Sequence, residues 1–391
     1  LVLWKLLRQV RVWAATPPER RAGLLRAPAP AALAALAEAR TGAPEIADAL
    51  DRATAALRDP QGEGLAAALH AVAGWAQGRS AEAALQYAEA AAVVDPGAAE
   101  RANYAGRLAR DGTDHWRAEV WFERGIGLAR ARGDHVEYIR GHLGYGILLR
   151  TLGKVRGARK HFDTASILAK KDGRRWLAAE AQHDLFYLMA DASAYAEAER
   201  HARRALAWYP KHHPRVPFLA ADFAFVLVCR RHHAEAVELL EGFLRAVEAP
   251  GEQLLGMSVL VRALACSGRL RDFERLRRRL RKLLAEHDEF EPAARINLAE
   301  AERAAGMWEA AEANARTALS LARARREAQP ERLAAALLAQ VTARVPAPPA
   351  ELLPADRELQ GVVRAFVARL AAWSPRRPGR APRVCREHWA A

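Results

Sequence analysis

Apolar positions along the chain recur in a fixed phrase. A small residue is followed by a larger one four places on, then by another small one three places further. The clearest copy is Ala158, Phe162 and Ala165, with Gly153 in the loop before it. The phrase is anchored again, sometimes with substitutions, at Ala49, Ala83, Ala118, Ala198, Ala236, Phe273 and Ala311, at intervals of 34 to 40 residues. Spacing of i, i+4, i+7 predicts a helix carrying these side chains on one stripe, small enough for a second helix to approach closely. Ahead of the phrase lies another apolar stripe, such as Leu185, Phe186 and Met189 or Phe223, Ala224 and Leu227, which predicts a first helix in each repeat. Pro60, Pro96, Pro210, Pro250 and Pro330 follow second helices and mark the boundaries, because proline cannot continue a helix. A period of this length, made of two helices and a turn, predicts a stacked helical array.

The stretches YGILLRTLGKVRGARKHFDTASIL and AGMWEAAEANARTALSLA resemble the tetratricopeptide-repeat superfamily in their turn glycine and small–large–small second helix. The resemblance implies an all-α fold: a right-handed superhelical α-solenoid of about eight helix-turn-helix repeats with flanking terminal helices. It also implies a non-enzymatic scaffold that holds a protein or peptide in a concave groove. The later intervals, 37 to 40 residues, exceed the family's usual unit. In that respect, and in endings such as LARARGD, the repeats are similar to the arms of bacterial regulators of the MalT/LuxR type and to kinesin-light-chain-like repeats. This likeness carries an alternative reading, the sensor or regulatory arm of a transcription or signalling protein. The chain begins with Leu1 and not Met, which fits a piece lacking an effector domain as well as a start codon read literally.

The expected organisation is 1–29 as amphipathic capping helices, with Trp4, Leu7 and Val10 on one face, and 30–344 as the array. A Pro-rich linker (345–354) and a last helix (355–373) follow, the helix placing Leu359, Val362, Val363, Phe366 and Leu370 at helical spacing. The basic tail (374–391) is expected to be disordered.

Composition changes this picture little. The net charge of +14 invites a polyanion. Its arginines are spread along the chain, as a GC-rich coding bias also produces, and no helix-turn-helix surrounds RLRRRLRKLL, so nucleic acid is disfavoured. In that run Leu276, Leu280 and Leu283 are expected to form the apolar stripe, with the arginines solvated. No apolar run approaches the roughly 20 residues that span a bilayer. Membrane-surface contact is entertained only for the N-terminal helix. Three cysteines over 391 residues suggest a reducing compartment, taken as the cytoplasm. No catalytic or cofactor motif appears, so neither enzyme activity nor a cofactor is expected. His212–His213 and His232–His233 fall in loops expected at opposite helix ends, which argues against a shared metal. Cys229 and Cys266 close successive first helices and read as packing residues.

First helices line the groove of such an array. By register the candidate binding residues are Asn103, Arg107, Arg110, Arg140, Arg150, His183, Tyr187, Phe225, Arg262 and Arg303. Arginines there would pair with carboxylates, so an acidic segment fits best. The family's Lys/Asn set for C-terminal carboxylates is not found, and the oligomeric state is left open.

Overall fold

The computed structural model describes residues 2–21, 43–59, 61–77, 79–286, 291–325, 327–347 and 357–373, and every regular element among them is helical. The chain divides into two compact units, Leu1–Leu148 and Leu149–Ala391. The first begins with α1 (Val2–Ala15) and a short α2 (Pro18–Arg21). After a 3-10 turn come α3 (Ala47–Ala56), α4 (Leu65–Ala76), α5 (Ala81–Val94), α6 (Ala99–Asp111), α7 (His115–Arg132) and α8 (His135–Thr151), within which the division falls. The second continues with α9 (Val155–Lys171), α10 (Arg175–Asp191), α11 (Tyr195–Trp208), α12 (Arg215–Cys229), α13 (His233–Ala246), α14 (Pro250–Cys266) and α15 (Leu270–Glu286). It ends with α16 (Glu291–Ala304), α17 (Trp308–Arg325), α18 (Ala328–Thr342) and α19 (Arg357–Ala371). The fold is of the all-α solenoid class, and within each unit consecutive helices pair as hairpins.

The repeating phrase explains the pairing. Ala158, Phe162 and Ala165 of α9, Ala198, Ala202 and Ala205 of α11, and Ala236, Leu240 and Phe243 of α13 are all fully buried. Alanines at the crossing let backbones approach, and the large residue fills the space beside them. The fit is tight: a Cβ on Gly256 of α14 would come within 2.4 Å of the Phe243 ring. Each hairpin turn needs one left-handed residue to end the first helix. Gly153, Gly268 and Gly306 supply it, while Thr113, Ser193 and Arg231 adopt the same conformation where glycine is missing. The residue after it then donates its N–H back five places, as Lys154 does to Leu149 at 2.8 Å and His232 to Leu227 at 2.9 Å.

Two expectations need correction. α1 packs on α5, and Leu6, Leu7, Val10 and Trp13 are buried, whereas Trp4 is exposed. On α15 the buried stripe is Phe273, Arg277, Leu280 and Leu284, with Leu276 and Leu283 at its flanks. The linker beyond residue 347, the tail 374–391 and residues 22–42 lie outside the described residues. Among the described residues no helix is long and apolar enough to cross a membrane.

Two buried histidines of the second unit are expected to weaken it in acid. Burial lowers His201 to about 4, where it meets the Gln182 side chain at 2.9 Å. Burial and the nearby Arg215 lower His213 to about 4, where it stacks on Tyr209. A histidine whose folded pKa lies below its unfolded value near 6.5 binds fewer protons when folded. Its stabilising contribution is therefore complete above pH 6.5 and is lost as pH falls toward 4. Asp222, whose carboxyl burial raises well above the usual range, acts in the opposite sense. After discounting for solvent, the two histidines contribute about 1 kcal/mol each. Measured against the double variant His201→Gln/His213→Gln, which leaves Asp222 in place, the parent's guanidinium midpoint is expected to fall from pH 7 to pH 5. A difference between the two that stays flat over that window would contradict this.

Candidate functional site

The predicted residues of the first unit are engaged within it. Asn103 is buried and donates through Nδ2 to the Glu137 carbonyl at 2.9 Å and to Glu137 Oε2 at 3.0 Å, tying α6 to α8. Gly125 and Gly141 make room for it, since a Cβ on either would come within 2.1 and 3.0 Å of its Oδ1. Arg140 donates to Glu137 at 2.7 Å, and the buried Arg110 donates to Asp111 at 2.9 Å. Arg107 lies 4.8 Å from the Tyr104 ring centroid and 3.7 Å from Asp111.

In the second unit the sequence register brings four side chains together. Tyr187, Phe225, Arg262 and Glu300 each stand eleven residues before a second-helix anchor (198, 236, 273 and 311). They therefore occupy one position in four successive first helices, α10, α12, α14 and α16. These helices pack side by side, and the four side chains line one chamber of about 330 Å³. Its remaining wall is mainly apolar, with Leu255, Val259 and Ile296. One side is closed by the start of α18, where Gln329, Pro330 and Leu333 face in. Gln329 Nε2 donates to Asp191 Oδ1 at 2.6 Å, joining the start of α18 to the end of α10.

Behind Tyr187 lies a buried polar network. His183, 0% exposed, meets Asp222 through Nε2 at 2.7 Å and the Tyr209 hydroxyl through Nδ1 at 3.3 Å. Tyr187 donates its hydroxyl to the same Asp222 oxygen and stacks on the His183 ring at 5.2 Å. Burial, and then the adjacent Asp222, push the Tyr187 hydroxyl well above its usual pKa. Arg150 lies 5.2 Å from the Tyr187 ring centroid and donates to Asp191 at 2.9 Å. Arg303 is turned toward Glu300 at 2.7 Å and reaches the Val345 carbonyl at 3.4 Å. Of the predicted residues, Tyr187, Phe225 and Arg262 thus reach the chamber together. Arg150 and His183 stand behind it as supports, and Arg303 holds Glu300. Asp191, Asp222 and Asn297 were missed. Asp222 had a signal, as the lone acid in the apolar run FLAADFAFVLV. The closure by α18 had none, because it depends on how four repeats stack.

Among the described residues no group of three metal-ligating side chains comes together. Cys229 and Cys266 are partly buried free thiols, and Cys229 faces the chamber.

Fold and site together define a helical-repeat protein with a ligand-sized chamber on its first-helix face. No protein-family model matches the chain, and no curated protein does. Among solved structures it is similar to the crystal structure of BtubC (BKLC) from P. vanneervenii, at 16% identity over 53% of this chain and 89% of that one, with a TM-score of 0.45. It is also similar to the P58(IPK) TPR domain, at 14% identity over 79% of this chain and 96% of that one, with a TM-score of 0.24.

Proposed function

We propose that the chain is a non-enzymatic interaction module whose second unit binds a protein segment along the face formed by α10, α12, α14 and α16. One observation carries this reading: Tyr187, Phe225, Arg262 and Glu300 repeat at one register position and converge on one chamber. A row of this kind offers ring surface, a cation and hydrogen-bonding groups at regular intervals, as an extended segment requires. His183 does not suggest catalysis, because both its ring nitrogens are occupied and it is fully buried.

Photo-crosslinking tests the assignment. A benzophenone side chain is placed at Phe225 or Leu333 on the chamber, or at Ile167, which is 65% exposed on the second helix α9. Crosslinks to a defined segment of a partner are expected from positions 225 and 333 and not from 167. Equal labelling from all three positions would refute the groove.

A further inference from the structure

We infer that the chamber is a carboxylate site: Arg262 is its anchor, and the group it takes is a single carboxylate attached to an apolar body about the size of an aromatic side chain. This rests on the proposed binding face and names the chemistry recognised there.

The charges lining the chamber are unequally satisfied. Three carboxylates face it, and each is engaged. Asp191 accepts from Arg150 and Gln329, Asp222 is held by His183 and Tyr187, and Glu300 accepts from Arg303 at 2.7 and 3.1 Å. The cation Arg262 is not. It is partly buried, its guanidinium carbon lies 5.8 Å from the Phe225 ring centroid, and its one hydrogen bond, to the neutral Asn297 Oδ1, is long at 3.4 Å. Among the described residues no carboxylate lies within ion-pair distance of it. Arg332, exposed at the rim, likewise has no ion-pair partner among them.

Burial works against the Arg262 charge and nearby groups, Glu300 among them, favour it, but none makes a direct ion pair with it; a fold built from interchangeable apolar repeats has no packing need for a guanidinium at this register. Its planar fork suits the two oxygens of a carboxylate. The remaining wall decides what carries that carboxylate. Phe225, Leu255, Val259, Ile296 and Leu333 offer apolar surface, and the volume is at the lower end for small-ligand pockets. A dianion such as phosphate fits poorly, because Asp191 and Glu300 share the chamber and the apolar wall would go unused.

The carboxylate has two sources, an acidic residue of a bound segment or a free organic acid, and ligand-observed ¹⁹F NMR on the full chain separates them. One arm uses 3-(4-fluorophenyl)propanoate against its amide. The other uses acetyl-4-fluorophenylalanyl-glutamate amide against the glutamine counterpart. In at least one arm the carboxylate is expected to bind at least tenfold more tightly than its neutral counterpart, and R262Q should lose at least that factor. Binding in the first arm alone assigns a free acid, and binding in the second assigns the segment. Equal binding of charged and neutral probes, unchanged binding in R262Q, or no binding in either arm would overturn the site.

Stability gives a reading independent of the probe. R262M is expected to raise the Tm, because it removes a partly buried charge that has no contact ion pair; a lowered Tm would make Arg262 a structural residue and end the inference. Crosslinking from position 225 that persists at full strength in R262M would leave the binding face standing and the carboxylate site refuted. Its absence in the parent chain would refute the face itself.

Discussion

Replacing Glu302 by alanine is expected to cost the second unit about 3–5 kcal/mol, because it strands a buried arginine. Glu302 on α16 is 0% exposed. Its Oε1 accepts from Arg277 Nε at 2.8 Å and Nη2 at 2.7 Å, and its Oε2 accepts from Asn314 Nδ2 at 2.8 Å. One carboxylate thus joins α15, α16 and α17. Without it Arg277 keeps only Glu274, 3.7 Å away and half-exposed, while its own side chain remains nearly closed to water. Ion pairs of this kind are poor net stabilisers and expensive to break singly. The double variant Arg277→Leu/Glu302→Leu should therefore recover most of the loss, since leucine supplies the large apolar residue that other repeats use there. Denaturant midpoints of the two singles and the double, read as a cycle, check both statements. A Glu302→Ala chain within about 1 kcal/mol of the parent would show that water reaches Arg277.

Arg277 also shows where sequence reasoning stopped. The phrase anchored at Phe273 breaks the small–large–small rule by placing Arg277 at its middle position. That break is visible in the sequence, but its compensation is not, because Glu302 lies 25 residues away in the next repeat. In RLRRRLRKLL the spacing of Leu276, Leu280 and Leu283 points to a leucine stripe, because an arginine turned inward needs a partner that the run itself does not contain. The regular parts were legible for the opposite reason. Burial of Ala158, Phe162 and Ala165 follows from spacing within one helix, and the turn at Gly153 from a local backbone need.

The site divides along the same line. Tyr187, Phe225 and Arg262 could be placed by register because they hold one position in a repeating unit, which Glu300 shares. Asn103 and Arg110 stand fifteen and eight residues before the anchor at 118, the register of His183 and of Arg150, and both are buried. Gly125 and Gly141 draw the Asn103 side chain inward, and Asp111 engages Arg110. Register fixes the side of the helix on which a residue sits. Whether it meets solvent depends on the neighbours' size, which a single phrase does not contain.

The last helix extends this point to a whole element. Leu359, Val362, Val363, Phe366 and Leu370 predicted an amphipathic helix but not where it docks. α19 lies on α12 and α13, burying Leu359, Val363, Phe366 and Leu370. Phe366 stacks on Phe223 with centroids 5.2 Å apart, and Gly242 admits Leu370, whose Cδ1 would stand 2.9 Å from an added Cβ. Among its polar contacts, Glu358 pairs with Arg203, and Arg369 donates to the Tyr209 and Pro210 carbonyls at 2.8 and 3.1 Å. A helix of 15 residues is marginal on its own in water, so docking and folding of α19 should be one event. Phe366→Ala removes the fully buried ring at its centre, a change that costs about 3–5 kcal/mol in a core. Because α19 can leave without dismantling the hairpins beneath it, the loss is expected as local opening. Amides of 357–371 should lose about a hundredfold or more of their hydrogen-exchange protection, while those of α12 and α13 keep theirs. Gly242→Leu, which blocks the seat from the other side, should reproduce the pattern. If either variant leaves α19 protected, its docking does not depend on this contact; if α12 and α13 lose protection with it, the last helix is part of their core.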